Sequence, residues 1–177
     1  MKALACIAVI PLLALASCPT GHTPRLVPTS TGAVLAFVDA SFVDVGSGTL
    51  GRGQTVVVRA GRIQSVSAEA PPPDAKVISA TGKFIVPGLI DMHVHMRESD
   101  LAAYVDAGIT SVRHMWGVPG MLELAARVVQ QNELGPTIYA ASPGVDGPGS
   151  PWPYTELIED PGAADALIDR LVADGWR

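Results

Sequence analysis

Gly82 to Met96 reads GKFIVPGLIDMHVHM, an apolar run broken by Pro87-Gly88 and followed by Asp91, His93 and His95 at every second position. Successive side chains of a strand point to opposite faces, so His93 and His95 project to one side, with Asp91 expected beside them. Met92 and Val94 then point the other way, toward packed helices. Two imidazoles converging on one point suit zinc and other divalent transition metals. A bare His-x-His pair has only two defined positions and also arises where two histidines happen to share a strand. The context raises its specificity, because the pair ends an apolar strand, and α/β barrels keep their catalytic groups at the C-terminal ends of their strands. Asp91 either orients a ligand from behind or makes a strand-end hydrogen bond.

Upstream, short β-branched runs alternate with turn signals: Val34 to Val38, Phe42-Val43, Thr55 to Arg59 and Arg62 to Val66, the last two flanking Ala60-Gly61 as a hairpin. Pro71 to Pro73 interrupt the pattern before a short strand at Lys76 to Ser79. Residues 33–83 are expected to form a small antiparallel β-sandwich module. From Phe84 the rhythm changes to strands separated by helices: strand Phe84 to His95, helix Leu101 to Ala107 ended by Gly108, strand Ile109 to Arg113, helix Met121 to Gln131, strand Thr137 to Ala141, helix Ala163 to Ala173. That spacing predicts about three parallel βα units over 84–177, in an α/β fold. Pro143 to Pro153, rich in Gly and Pro, follows the third strand, where such barrels place active-site loops. Asp146 and Trp152 within it stand near a substrate position, yet read first as parts of a solvated loop.

Taken in this order, the β module, the Ala60-Gly61-Arg62-Ile63 hairpin and Gly82 to His95 give the chain a pattern that resembles the amidohydrolase superfamily. Asp106 to Arg113, DAGITSVR, is similar to the stretch leading into the second barrel strand of its imidazolonepropionase- and prolidase-like branch. The resemblance implies the N-terminal part of a (β/α)8 TIM barrel preceded by a β-sandwich, with one or two divalent metal ions, zinc first. It also implies hydrolysis of carbon-nitrogen bonds, in cyclic amides or Xaa-Pro dipeptide-like small molecules, by metal-activated water. By the same resemblance His93 and His95 bind the more buried metal. His114 stands where that branch commonly has Asp. Arg97 and Arg113 are candidates to meet a substrate carboxylate, against the plainer reading of each as a solvated or salt-bridged side chain.

The family pattern further implies a metal-bridging carbamylated Lys, two later His ligands and an Asp acting as general base. Lys83 is the last lysine and His114 the last histidine, so the 63 residues after His114 supply neither, and no catalytic residue is assigned. A complete barrel of this kind needs about 250 residues. The expectation is therefore a truncated barrel over 84–177, strands 1–3, inactive alone. The rival from another class is a non-catalytic, lipid-anchored binding or scaffold protein with a vestigial His pair. Nucleobase deamination and organophosphate ester hydrolysis also remain open, because one fold supports many chemistries through its loops.

Composition is globular, 48% hydrophobic and 16% charged over 177 residues. Part of the apolar excess lies in residues 1–17, where Lys2 precedes the run Ala3 to Ala16, too short to span a bilayer and patterned as a secretory signal peptide. Leu15-Ala16-Ser17-Cys18 resembles a bacterial lipobox, which implies lipidation of Cys18, removal of residues 1–17 and export to the far side of the membrane, anchored by lipid alone. A plain secretory peptide with an incidental Cys is the alternative. Residues 18–32, rich in Pro, Thr, Ser and Gly, read as a flexible tether. Cleavage would remove Cys6 and occupy Cys18, which leaves no thiol for a disulfide. It would also leave 11 basic against 17 acidic residues, a formal charge of −6, which argues against nucleic acid as a partner. Oligomeric state is not written in the sequence.

Overall fold

The computed structural model describes residues 33–131 and 133–177. The expected signal peptide at 1–17, the lipidation residue Cys18 and the 18–32 tether lie outside the described residues. In the small module, β1 (Val34–Asp44) runs antiparallel to β2 (Thr49–Arg59), and β2 antiparallel to β3 (Arg62–Ser67). The β2–β3 turn is Ala60-Gly61, with φ of 49° and 72°, the pair of left-handed residues that a two-residue hairpin of the proper twist demands. β4 (Ala75–Ser79) and β5 (Phe84–Ile85) follow one another along the other edge of β1, both parallel to it. The module is thus a mixed five-stranded sheet.

Three expectations change here. The sheet is not antiparallel throughout, because side-chain alternation along β1 is the same whichever way its neighbours run. Phe84-Ile85, expected to open the first barrel strand, instead pairs with Ser41-Phe42, so the small sheet extends past 83. β1, expected as two pieces, is one strand with an irregularity at Asp39, whose φ is 59°, and register shifts on both sides of Ala40. The gap between β4 and β5 falls opposite this kink, bridged by Ala80 N–H donating to the Val38 carbonyl at 2.8 Å and Ser41 N–H to the Lys83 carbonyl at 3.0 Å. Val34, Ala36 and Val57 form the buried centre of this sheet.

β6 (Leu89–Val94), β7 (Ile109–His114) and β8 (Thr137–Ala140) make a separate parallel sheet in that order, and α1 (Leu101–Asp106) and α2 (Met121–Gln130) are its crossovers. Met121, Leu124 and Val128 recur every three or four residues, which puts them on one stripe of α2. With Leu101 they pack on Val94, Met96, Val112, Ile138 and Ala140 to form the larger core. Strand-helix alternation at this spacing is what the sequence predicted. Beyond β8, β9 (Gly144–Asp146) and β10 (Thr155–Leu157) pair in parallel, and α3 (Ala164–Ala173) follows, burying Leu171. The stretch read as loop from Pro143 therefore contains a strand, too short for periodicity to reveal. No helix among the described residues is long and apolar enough to cross a membrane.

Candidate functional site

The two histidines sit at the C-terminal end of β6, where the strand leaves the sheet. Val94 and Met96 are buried in the core, whereas His93 and His95 are exposed, so the pair shares the open face. Their ring centroids are 5.3 Å apart and the rings are set edge to face at 67°. Two imidazoles sharing one tetrahedral ion, each nitrogen at about 2.0–2.1 Å, place their centroids on the order of 5 Å apart. Donor chemistry and spacing therefore fit a divalent metal of the zinc type. The set is incomplete, because among the described residues no group of three His, Cys, Asp or Glu is placed to hold an ion.

The face rule fails just before the pair. In register, Asp91 stands beside Val112 and Val94 beside His114, so β6 spends three residues where β7 spends two. Such a bulge rotates the chain between Asp91 and Val94. Asp91 does not share the His93 face as expected. Its register partner Val112 faces the helix-side core, so Asp91 turns toward the α1 side, where burial and then the carboxylates of Asp91 and Asp100 push the Tyr104 phenol above its usual value. From there Asp91 Oδ1 accepts the His93 amide N–H at 3.1 Å, a local strand-end hydrogen bond. Met92, expected to pack against helices with Val94, is 59% exposed for the same reason.

Arg113 lies between buried Val112 and buried His114, hence on the open face, in register with Tyr139 of β8. The row across the open face therefore runs from the His pair through Arg113 to Tyr139. Arg97 is exposed beyond the strand, and its amide N–H donates to Asp100 Oδ2 at 2.8 Å at the start of α1. Neither guanidinium forms an ion pair among the described residues. In the 143–153 segment Asp146 is tied down, its carboxyl held below the usual range by the Ser150 hydroxyl and then the Gly147 amide. Trp152 packs edge-on against Trp116, centroids 6.2 Å apart, while the Trp116 indole N–H donates to the Pro153 carbonyl at 3.1 Å.

His114, expected only as a departure from the Asp of the resembling branch that bears on hydrogen bonding behind the ligands, lies beside the pair. It ends β7 beside β6, only 2% exposed, with its ring centroid 6.0 Å from that of His95. Its Nδ1 accepts the Met96 amide N–H at 3.2 Å, and its Nε2 is buried with no partner. An unpaired buried polar atom of this kind costs about 1–3 kcal/mol. Burial pushes the imidazole pKa below 6.5, the Trp116 carbonyl opposes this, and the neighbouring His95 adds to the lowering. The signal available in sequence was position: a polar side chain closing the strand adjacent to the His pair.

No family model matches the chain. Over 158 residues, 76% of this chain and 26% of the relative, it is 29% identical to an adenine deaminase of Paracoccus denitrificans. It is 47% identical over 47 residues to a dihydroorotase of Carboxydothermus hydrogenoformans, 27% of this chain and 11% of the relative. A solved prolidase complexed with N-methylphosphonate-L-proline superposes with a TM-score of 0.69 at 19% identity, over 81% of this chain and 45% of that one. The chain shares its fold. Other structural neighbours include a prolidase-like protein and an amidohydrolase, and the relatives in sequence are adenine deaminases and dihydroorotases. The chain spans about a quarter of the adenine deaminase and under half of the prolidase.

Proposed function

We propose that this chain is part of a metal-dependent amidohydrolase acting on a carbon-nitrogen bond of a small molecule, with His93 and His95 as two of its metal ligands. The observation that carries the reading is the pair itself: two exposed imidazoles 5.3 Å apart, on the open face at the C-terminal end of a parallel strand. A bound divalent ion supplies a nucleophile from water at neutral pH and polarises the bond to be cleaved. The chain's own contribution is placement. Buried Val94 and Met96 anchor alternate residues in the core and so fix both imidazoles on the other side. The Asp91 carboxylate accepts the His93 backbone N–H and so ties the chain just before the pair to the strand end. Arg113, on the same face, is placed to orient an anionic group of the substrate. Cyclic amides and Xaa-Pro dipeptides are the substrate classes proposed, in line with the dihydroorotase and prolidase relatives.

Binding is the direct test. Titrating the full chain with Co²⁺ should give visible absorption bands that zinc displaces, and His93→Ala or His95→Ala should weaken binding by at least about tenfold. Equal binding by the parent and the double variant would remove the metal-centre reading. Assaying the chain with zinc against dihydroorotate, adenine and Xaa-Pro dipeptides tests the expectation that it is inactive alone, and robust turnover of any of them would overturn that expectation. We further propose lipid anchoring through Cys18 outside the cytoplasm, supported by the Leu15-Ala16-Ser17-Cys18 pattern. Labelled palmitate should enter the parent chain and not Cys18→Ala.

A further inference from the structure

The residue that the proposed function leaves unused is His114, the buried imidazole between the His pair and the core. Met96 lies two residues past the end of β6, and its amide is satisfied by a side chain, His114 Nδ1, at 3.2 Å. A neutral imidazole carries one N–H. If Nδ1 accepts from an amide, its lone pair is in use and the proton must be on Nε2. An imidazolium is excluded by the same contact, because two donors would then face each other. A protonated Nε2 has no lone pair for a metal. His114 therefore looks by position like a third ligand, with its ring 6.0 Å from His95, while its hydrogen bonding forbids that role.

We propose that His114 is a positioning residue: locked as the Nε2–H tautomer by the Met96 amide, it pins the backbone just after His95 and so fixes where that imidazole stands. Its consequence for metal affinity rests on the metal-centre reading above, whereas the tautomer and the pinned amide do not. The contact joins the ends of two adjacent strands, one of which carries the pair. Losing it would free the residue after His95 while leaving both imidazoles chemically intact.

Two measurements test this on the full chain. Long-range proton-nitrogen correlation of the histidine rings, without metal, should show Nε2 protonated and Nδ1 bare in the buried ring, unchanged when zinc is added while two other rings shift. A protonated Nδ1, or movement of the His114 Nε2 signal on adding zinc, would overturn the proposal. The second measurement uses substitution. His114→Asn places an amide oxygen near the position of Nδ1, and His114→Gln near that of Nε2. Asn should retain zinc affinity and slow exchange of the Met96 amide hydrogen; Gln and Leu should speed that exchange and weaken zinc binding by about tenfold or more. Retention by Gln with loss by Asn would make His114 a ligand and refute the assignment. Met96 protection supplies a readout without metal, so the predicted tautomer with no zinc binding in the parent would count against the metal centre and for the lock.

Discussion

Gly88 offers a quantitative check on how the His-bearing strand is seated. A Cβ at this position would lie 2.0 Å from Thr110 Oγ1, 2.3 Å from its Cγ2 and 2.7 Å from its Cβ. Rotating the Thr110 side chain moves the first two atoms away and cannot move the third, so Gly88→Ala forces the start of β6 from the start of β7. Overpacking of this kind costs about 1–3 kcal/mol. For a chain of this size each kcal/mol shifts the melting midpoint by about 2–4 °C, so a fall of about 2–12 °C is expected. Thermal and urea unfolding followed by far-ultraviolet circular dichroism measure it. The decisive comparison is a double-mutant cycle with Thr110→Gly, which removes all three clashing atoms. Because the two sites touch, their coupling should exceed about 0.5 kcal/mol, with the pair more stable than additivity allows. An unshifted Gly88→Ala, or a penalty that Thr110→Gly leaves in place, would refute the steric account and require another reason for glycine in this motif.

Other expectations follow from the same structure. Leu101, 4% exposed at the start of α1, packs in the larger core, so Leu101→Ala should cost about 2–5 kcal/mol in urea unfolding, and a loss under about 1 kcal/mol would argue against that packing. His114 titrates near 6.5 when unfolded and lower when folded, so between those values the unfolded chain binds more protons and stability rises with pH. The metal-free chain should accordingly be less stable at pH 5.5 than at pH 7.5, by at most about 1.4 kcal/mol per unit from this group, and His114→Asn should flatten that part of the curve. Adding zinc should raise the melting midpoint of the parent by mass action and leave that of the His93→Ala/His95→Ala double variant unchanged.

Much of the fold was legible because local rules and tertiary structure agree. The positive φ of Ala60-Gly61, the stripe of Met121, Leu124 and Val128, and the strand-helix rhythm after Leu89 all express periodicities that the sequence carries. What was missed depends on partners. Alternation along β1 is blind to the direction of its neighbours, so the parallel seats of β4 and β5 were hidden. Phe84-Ile85 continues an apolar run into β6, and only pairing assigns it to the other sheet. In the candidate site the His93 and His95 faces followed from alternation, but the bulge that turns Asp91 and Met92 depends on the register with β7. The closeness of His114 to His95 is likewise a relation between two strands, and along its own strand only its position at the end of β7 pointed to it.

Ile85 ends its pairing with β1 and Leu89 begins its pairing with β7, which leaves Val86-Pro87-Gly88 as the whole connection between the two sheets. Four steps of trans peptide reach at most about 15 Å. With so little slack, the small sheet acts as a mooring for the strand that bears the histidines. Its range is shortened further at the near end by the stiff ring of Pro87 and at the far end by the Thr110 side chain against Gly88. Motion of that strand along its own axis would have to drag β5 out of register, so lengthening this connection by a few residues would loosen the histidines without touching them.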